Sequence, residues 1–264
     1  MRARHPGVLA VGILAVVVSA TAAWQEAPAR AASAKIWEGR NAEFEEFIRK
    51  APFQRFEDVP IGVTRPRRGY FDPGGLVESV AWKVLPPGRD KGYWESYRSE
   101  IAAYELDKLL ELHMVPPAVE KRWKGDTGAA ILWVKPVRSL KEVEHLPKPP
   151  KWNVNVVRMK MFDNLIGNID RNQGNLLFDE DWNLYLIDHS RAFVTDAKLP
   201  AQMQRIDPDL WARMQALDEP ALKAAIGKWI DGGSIRAMLK RRERMQAVIA
   251  DLLKNGNESL VYVR

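Results

Sequence analysis

Cysteine is absent from the 264 residues. Without disulfides the fold must stand on its apolar core. With only four scattered histidines, metal ligation falls to oxygen, which suits Mg²⁺ or Mn²⁺. There are no internal repeats and no long low-complexity segments. No glycine-rich loop of the GxGxxG type is present. No basic groove interleaved with aromatics points to nucleic acid. Past the N-terminus, no stretch is long or apolar enough to span a bilayer.

What remains suits one globular unit able to bury a core, at 46% hydrophobic and 28% charged residues. Ten tryptophans are many for this length, and Trp82, Trp133 and Trp182 fall in expected strands or turns. The net charge is +6, from 40 basic and 34 acidic residues. The run Lys240-Arg241-Arg242 with Arg244 concentrates that excess on a C-terminal helix expected over Ser234 to Leu253. Its basic residues read most simply as a solvated face, the alternative being attraction to anionic lipid or an acidic substrate.

The N-terminus sets the expected compartment. Met1-Arg2-Ala3-Arg4-His5 is basic, Val8 to Ala23 is apolar and uncharged, and small residues at Ala20 to Ala23 offer cleavage sites. This is the pattern of a signal peptide over 1–23. The chain is therefore expected to be exported, periplasmic or extracellular, with uncleaved anchoring by 8–23 as the alternative. Membrane contact is expected only through such an uncleaved segment.

Residues 162–193 carry the chemistry. Two short apolar runs, Leu176 to Phe178 and Leu184 to Ile187, flank the polar stretch Asp179-Glu180-Asp181-Trp182-Asn183 and read as a hairpin. Asp179, Asp181 and Asn183 are expected to serve the turn itself. Asp170 and Asn175 precede the first strand and Asp188 ends the second, so the three can meet at one end of the hairpin. Phosphoryl transfer needs such a set: a carboxylate to take a hydroxyl proton, and an amide and a carboxylate to hold metal on the phosphates.

Here the chain resembles atypical kinases. Asp170-Arg171-x-x-x-Asn175, followed by a strand ending Ile187-Asp188, looks like the catalytic and metal-binding loops of phosphatidylinositol kinases, HipA-type kinases and the Golgi casein kinase family. The order Asp-Arg separates it from ordinary protein kinases, whose loop is His-Arg-Asp. Two positions depart from the pattern. Asn172 stands where many relatives have histidine, and Asp188-His189-Ser190 replaces Asp-Phe-Gly. His189 is expected to stand behind the site rather than to ligate.

The N-terminal half offers an independent check. Val80-Ala81-Trp82-Lys83-Val84-Leu85 reads as a strand holding one lysine, ended by the turn signal Pro86-Pro87-Gly88. A helix follows from Ser99 to Leu110, with Ala102, Leu106, Leu109 and Leu110 on one stripe. Glu100 lies almost opposite that stripe, on a helix with apolar residues on more than one side. Such a helix is covered by other elements, and a carboxylate on it wants a partner. Lys83 is the natural one. In kinases a strand lysine holds the nucleotide phosphates and a helix glutamate positions it. Glu100 through Leu110, followed by Val115-Pro116-Pro117, is similar to the corresponding helix and turn of Golgi casein kinases. In some of those relatives the glutamate approaches the metal, so both roles stay open for Glu100.

The resemblance implies an α+β, two-lobed protein-kinase-like fold. It sets an N-terminal extension over 24–54, a kinase-like domain over 55–264, a mostly β N-lobe over about 55–135 and a mostly helical C-lobe over about 152–255. Leu146-Pro147-Lys148-Pro149-Pro150-Lys151 reads as a stiff connection after the lobe hinge. The strand Ala129 to Val134 would bring Trp133 and Val134 to the adenine. Gly62, Gly69, Gly74 and Gly75, with Arg65, Arg67 and Arg68, either cover phosphates or form a solvated basic hairpin.

The implied activity is metal-dependent transfer of phosphate from ATP, with Mg²⁺ or Mn²⁺, to an unidentified hydroxyl on protein, glycan or lipid. Asp170 is the expected catalytic base, Asn175 and Asp188 the metal ligands, and Lys83 and Glu100 the phosphate-side pair. Arg171 is expected to anchor the loop. The alternatives are a pseudokinase that binds nucleotide or serves as a scaffold, and a nucleotidyl (AMP) transferase on the same fold.

Overall fold

The computed structural model describes residues 35–60, 66–90 and 92–263. The expected signal peptide or anchor, the start of the 24–54 extension, and Gly62 and Arg65 lie outside the described residues. In chain order come α1 (Asn41–Lys50), β1 (Arg55–Asp58), β2 (Arg67–Tyr70), β3 (Ser79–Lys83), β4 (Gly88–Asp90), β5 (Tyr93–Glu95), α2 (Tyr97–Leu109), β6 (Ala118–Trp123) and β7 (Asp126–Leu132). Five of the strands form an antiparallel sheet in the order β1-β2-β3-β7-β6, and β4 pairs with β5 as a separate hairpin.

Strand alternation gives this sheet two different faces. Val80 and Trp82 of β3 point to one side, where they pack with Phe44 and Ile48 of α1 and with Phe53 and Phe71. Phe53 stacks on Phe71 with ring centroids 5.2 Å apart and tilts against Trp82 at 5.6 Å. Helix α1 falls in the stretch read from sequence as an extension, yet its Phe44 and Ile48 are fully buried in this layer. Ala81 and Lys83 point to the other side. They pair in register with Ile131 and Ala129 of β7, beneath α2. The lysine inside an apolar strand is therefore aimed at a helix rather than at solvent.

The second lobe contains β8 (Arg138–Ser139), α3 (Leu140–Val143), α4 (Pro150–Ile166), β9 (Leu176–Phe178), β10 (Leu184–Leu186), α5 (Pro208–Gln215), α6 (Glu219–Ile226), α7 (Gly232–Asn255) and α8 (Glu258–Val261). Strands β9 and β10 form the expected antiparallel hairpin, with β8 on its edge. At the turn, Asp179 accepts from the Asn183 backbone and amide and from the Tyr185 hydroxyl. Met161, Phe162, Leu165 and Ile166 of α4 share a core with Ile235, Met238, Met245 and Ile249 of α7.

One expectation for α7 is corrected. Arg241, read as part of a solvated basic face, is fully buried. It donates from Nε to Leu165 O at 3.0 Å and from Nη1 to Val194 O at 2.8 Å. A cation at the C-terminal end of α4 satisfies carbonyls that the helix leaves open. Helix α4 stops at Gly167 in the left-handed region, φ +63°. A Cβ there would meet the Arg241 guanidinium carbon at 2.6 Å, so both backbone and space call for glycine.

Candidate active site

Helix α2 is capped by Ser96, whose side chain accepts from the Arg98 amide at 3.0 Å. Glu100 sits in the first turn, where the helix dipole favours a carboxylate. Lys83 Nζ lies 2.6 Å from Glu100 Oε1 and 2.8 Å from Asp188 Oδ1. The other Glu100 oxygen accepts from the His189 amide at 2.9 Å. One helix carboxylate thus holds both the β3 lysine and the chain just past β10.

Burial alone lowers the Lys83 pKa, but the charges of Glu100 and Asp188 more than offset it, so its ammonium is held above the ordinary lysine value. Burial pushes Glu100 up, and Lys83 together with the His189 hydrogen bond pulls it well below the usual carboxylate range. Both groups are charged at neutral pH. Asp188 has φ +62°, a conformation that Asp tolerates better than most residues. Its side chain is 30% exposed.

The loop after α4 is held from beneath by Arg171. Its guanidinium grips Asp163 at 2.9 and 3.0 Å and reaches Ile187 O at 2.7 Å and Asn175 O at 3.2 Å. The Nη2 that holds Asp163 also lies 2.9 Å from His189 Nε2. Arg171 anchors the loop, its side chain only 10% exposed. His189 is buried, and burial lowers its pKa below the ordinary histidine value. A neutral ring accepts from Arg171 at Nε2, so His189 stands behind the site as a strut.

Asn168 donates to Asp163 at 3.0 Å and accepts from the Asp170 amide at 3.2 Å. Asn172 accepts from the Gly174 amide at 2.9 Å, capping the 3-10 turn Gln173–Asn175. The position that departs from the family pattern therefore shapes the loop. Asn175 donates its amide to Asp170 O at 3.2 Å, and its own carbonyl accepts from the Ile187 amide at 3.2 Å. That last bond ties the loop to the end of β10 and sets Asn175 beside the backbone leading into Asp188.

Trp133 follows β7, and its amide donates to Ser79 O at 3.1 Å. Arg68 lies over its indole, 4.5 Å from the ring centroid, and also donates to Ser79 Oγ at 3.0 Å. Val134 is buried with the α1 layer.

Sequence reasoning missed Asp163, Asn168, Glu95 and Arg191. Asp163 and Asn168 had a signal: polar residues flanking the apolar run around Leu165 and Ile166, which burial would force to find partners. Arg191 and Glu95 had none, because their meeting depends on the two lobes. Arg191 Nη1 lies 3.3 Å from Asp170 Oδ2, while its other nitrogens reach Glu95.

The donor set suits a hard divalent cation. Among the described residues no three His, Asp or Glu side chains form a metal cluster. Asn175, with its amide nitrogen engaged, and the open Asp188 carboxylate offer two oxygens, and nucleotide phosphates commonly complete such a site.

The sequence matches no family model and no curated protein. Its fold does have solved counterparts. A hydra Fam20 structure with sugar superposes at a TM-score of 0.68, with 17% identity over 84% of this chain and 91% of that one. The Golgi casein kinase with Mn and ADP bound gives 0.66, with 13% identity over 86% and 79% of the two chains. A second Golgi casein kinase structure gives 0.65 and 13%, over 84% and 77%. The chain therefore shares with these proteins the two-lobed kinase-like fold that its motifs resemble.

Proposed function

We propose that the chain is a phosphotransferase that moves the γ-phosphate of ATP to a hydroxyl acceptor with the help of a divalent cation. The observation that carries this reading is Lys83, held between Glu100 and Asp188 in a fold of this kind. A buried lysine, kept charged and aimed into the cleft from a rigid strand, supplies fixed positive charge for phosphate oxygens. The Mn and ADP in the Golgi casein kinase structure support the choice of nucleotide and metal by analogy.

In this reading Glu100 fixes Lys83, and Asn175 and Asp188 hold the cation, which neutralises phosphate charge when bound. The backbone at Trp133 and Val134 borders the adenine. Asp170 accepts the acceptor's proton at a carboxylate oxygen as the hydroxyl oxygen bonds to the γ-phosphorus and ADP departs. Arg171 and His189 keep the loop in register without touching substrate. The domain limits read from sequence belong to the same proposal. So does export, which rests on the N-terminal pattern and is in keeping with a Golgi-named counterpart. Among the described residues no helix is long and apolar enough to cross a membrane.

Intact-mass analysis of the chain and offered acceptors, after incubation with ATP and Mn²⁺, tests the reaction. A phosphate adduct supports the proposal. An AMP adduct moves the assignment to nucleotidyl transfer, and no adduct with any acceptor leaves a binding module.

A further inference from the structure

Arg191 joins three groups from two lobes. Nη1 lies 3.3 Å from Asp170 Oδ2 in the second lobe. Its Nε and Nη2 both meet Glu95 Oε1 on β5. The guanidinium carbon also sits over the Tyr93 ring, 4.7 Å from the centroid. The backbone beside it is pinned too, since the Ser96 amide donates to Ser190 O at 3.0 Å.

The two carboxylates differ in what they need. Glu95 is buried, at 3% exposure, and a buried carboxylate requires a fixed cation. That need sets the place of the guanidinium from the Glu95 side and leaves Nη1 directed at Asp170. The Asp170 side chain is 43% exposed, and Arg191 holds its carboxylate. With Oδ2 engaged, Oδ1 remains for an acceptor hydroxyl.

We infer that Arg191 is a positioning residue that orients the Asp170 carboxylate and couples it to the β4–β5 hairpin of the N-lobe. This rests on the phosphotransferase reading above. A planar fork can serve two carboxylates at once, whereas a lysine ammonium on its flexible stem cannot hold both in one geometry.

The test is Arg191→Lys, which keeps a cation beside Glu95. Nucleotide stabilisation with Mn²⁺ should match wild type, while kcat falls about tenfold to a hundredfold, as for a reacting group displaced by about 1 Å. In an Asp170→Asn background the same change should cost nothing further, because no base remains to be oriented. Should Arg191→Lys fail to fold, the pair Glu95→Gln with Arg191→Gln removes both charges and should show the same kcat loss.

Unchanged kcat in Arg191→Lys, or an equal extra loss in the Asp170→Asn background, overturns the inference and leaves the phosphotransferase reading standing. Loss of nucleotide stabilisation reassigns Arg191 to the phosphates. A wild type that transfers no phosphate brings down both readings together.

Discussion

The two ends of the cleft are built differently. At the end proposed for the nucleotide, Lys83 and Glu100 are 7% and 2% exposed, and each Glu100 oxygen has its own donor. At the end proposed for the acceptor, the Asp170 side chain is 43% exposed and is held by Arg191. Charges out of water interact strongly and cost much if left unpaired; exposed pairs contribute about 0–1 kcal/mol. The Lys83–Glu100 end is thus set by folding itself.

The largest effect should come from breaking the buried pair. Lys83→Ala and Glu100→Ala should each lower turnover by orders of magnitude. Lys83→Ala should also cost about 3–5 kcal/mol of stability, because Glu100 is left buried without its cation, and Glu100→Ala should cost less, because Asp188 still pairs with Lys83. Removing both should cost much less than the two losses added. Strictly additive losses in a double-mutant cycle, by urea unfolding and by kcat, would count against a shared network.

How much of this was legible in sequence follows the same division. The Asp170, Asn175 and Asp188 spacing and the lone strand lysine stood out because a polar residue inside an apolar pattern signals either chemistry or a buried partner. The pairing of Lys83 with Glu100 followed from the helix's lack of a solvent face. Helix α4 gave a weaker signal: Asn155, Asp163 and Asn164 are buried beside Met161, Phe162 and Leu165, so it shows no clean stripe. Arg241 looked like one more charge in a basic run, because sequence does not display the carbonyls of α4 and the segment after Asp188 that surround it. Arg191 and Glu95, far apart in the chain, meet only once the lobes are assembled.

A smaller effect separates the buried strut from its neighbours by pH. His189 has its folded pKa lowered below 6.5, first by burial, so its contribution is present above that value and is lost as pH falls toward the folded one. Glu100, also depressed, contributes above the usual carboxylate range and fades only in stronger acid. His189→Gln should therefore differ from wild type most at neutral pH. The gap should narrow by about 1 kcal/mol for each unit the pKa is shifted as pH drops below 6.5. Urea unfolding across that window checks this, and a constant gap would mean that the His189 proton plays no part.

The most direct measurement is thermal unfolding with ATP and Mn²⁺, together and separately, for wild type, Asp188→Ala and Asp170→Asn. A ligand that binds only the native state raises the midpoint. The account predicts that wild type and Asp170→Asn rise alike, by several degrees and only with nucleotide and metal together, while Asp188→Ala does not. A wild type with no shift under any divalent ion, or an Asp188→Ala variant that shifts as far as wild type, would contradict it.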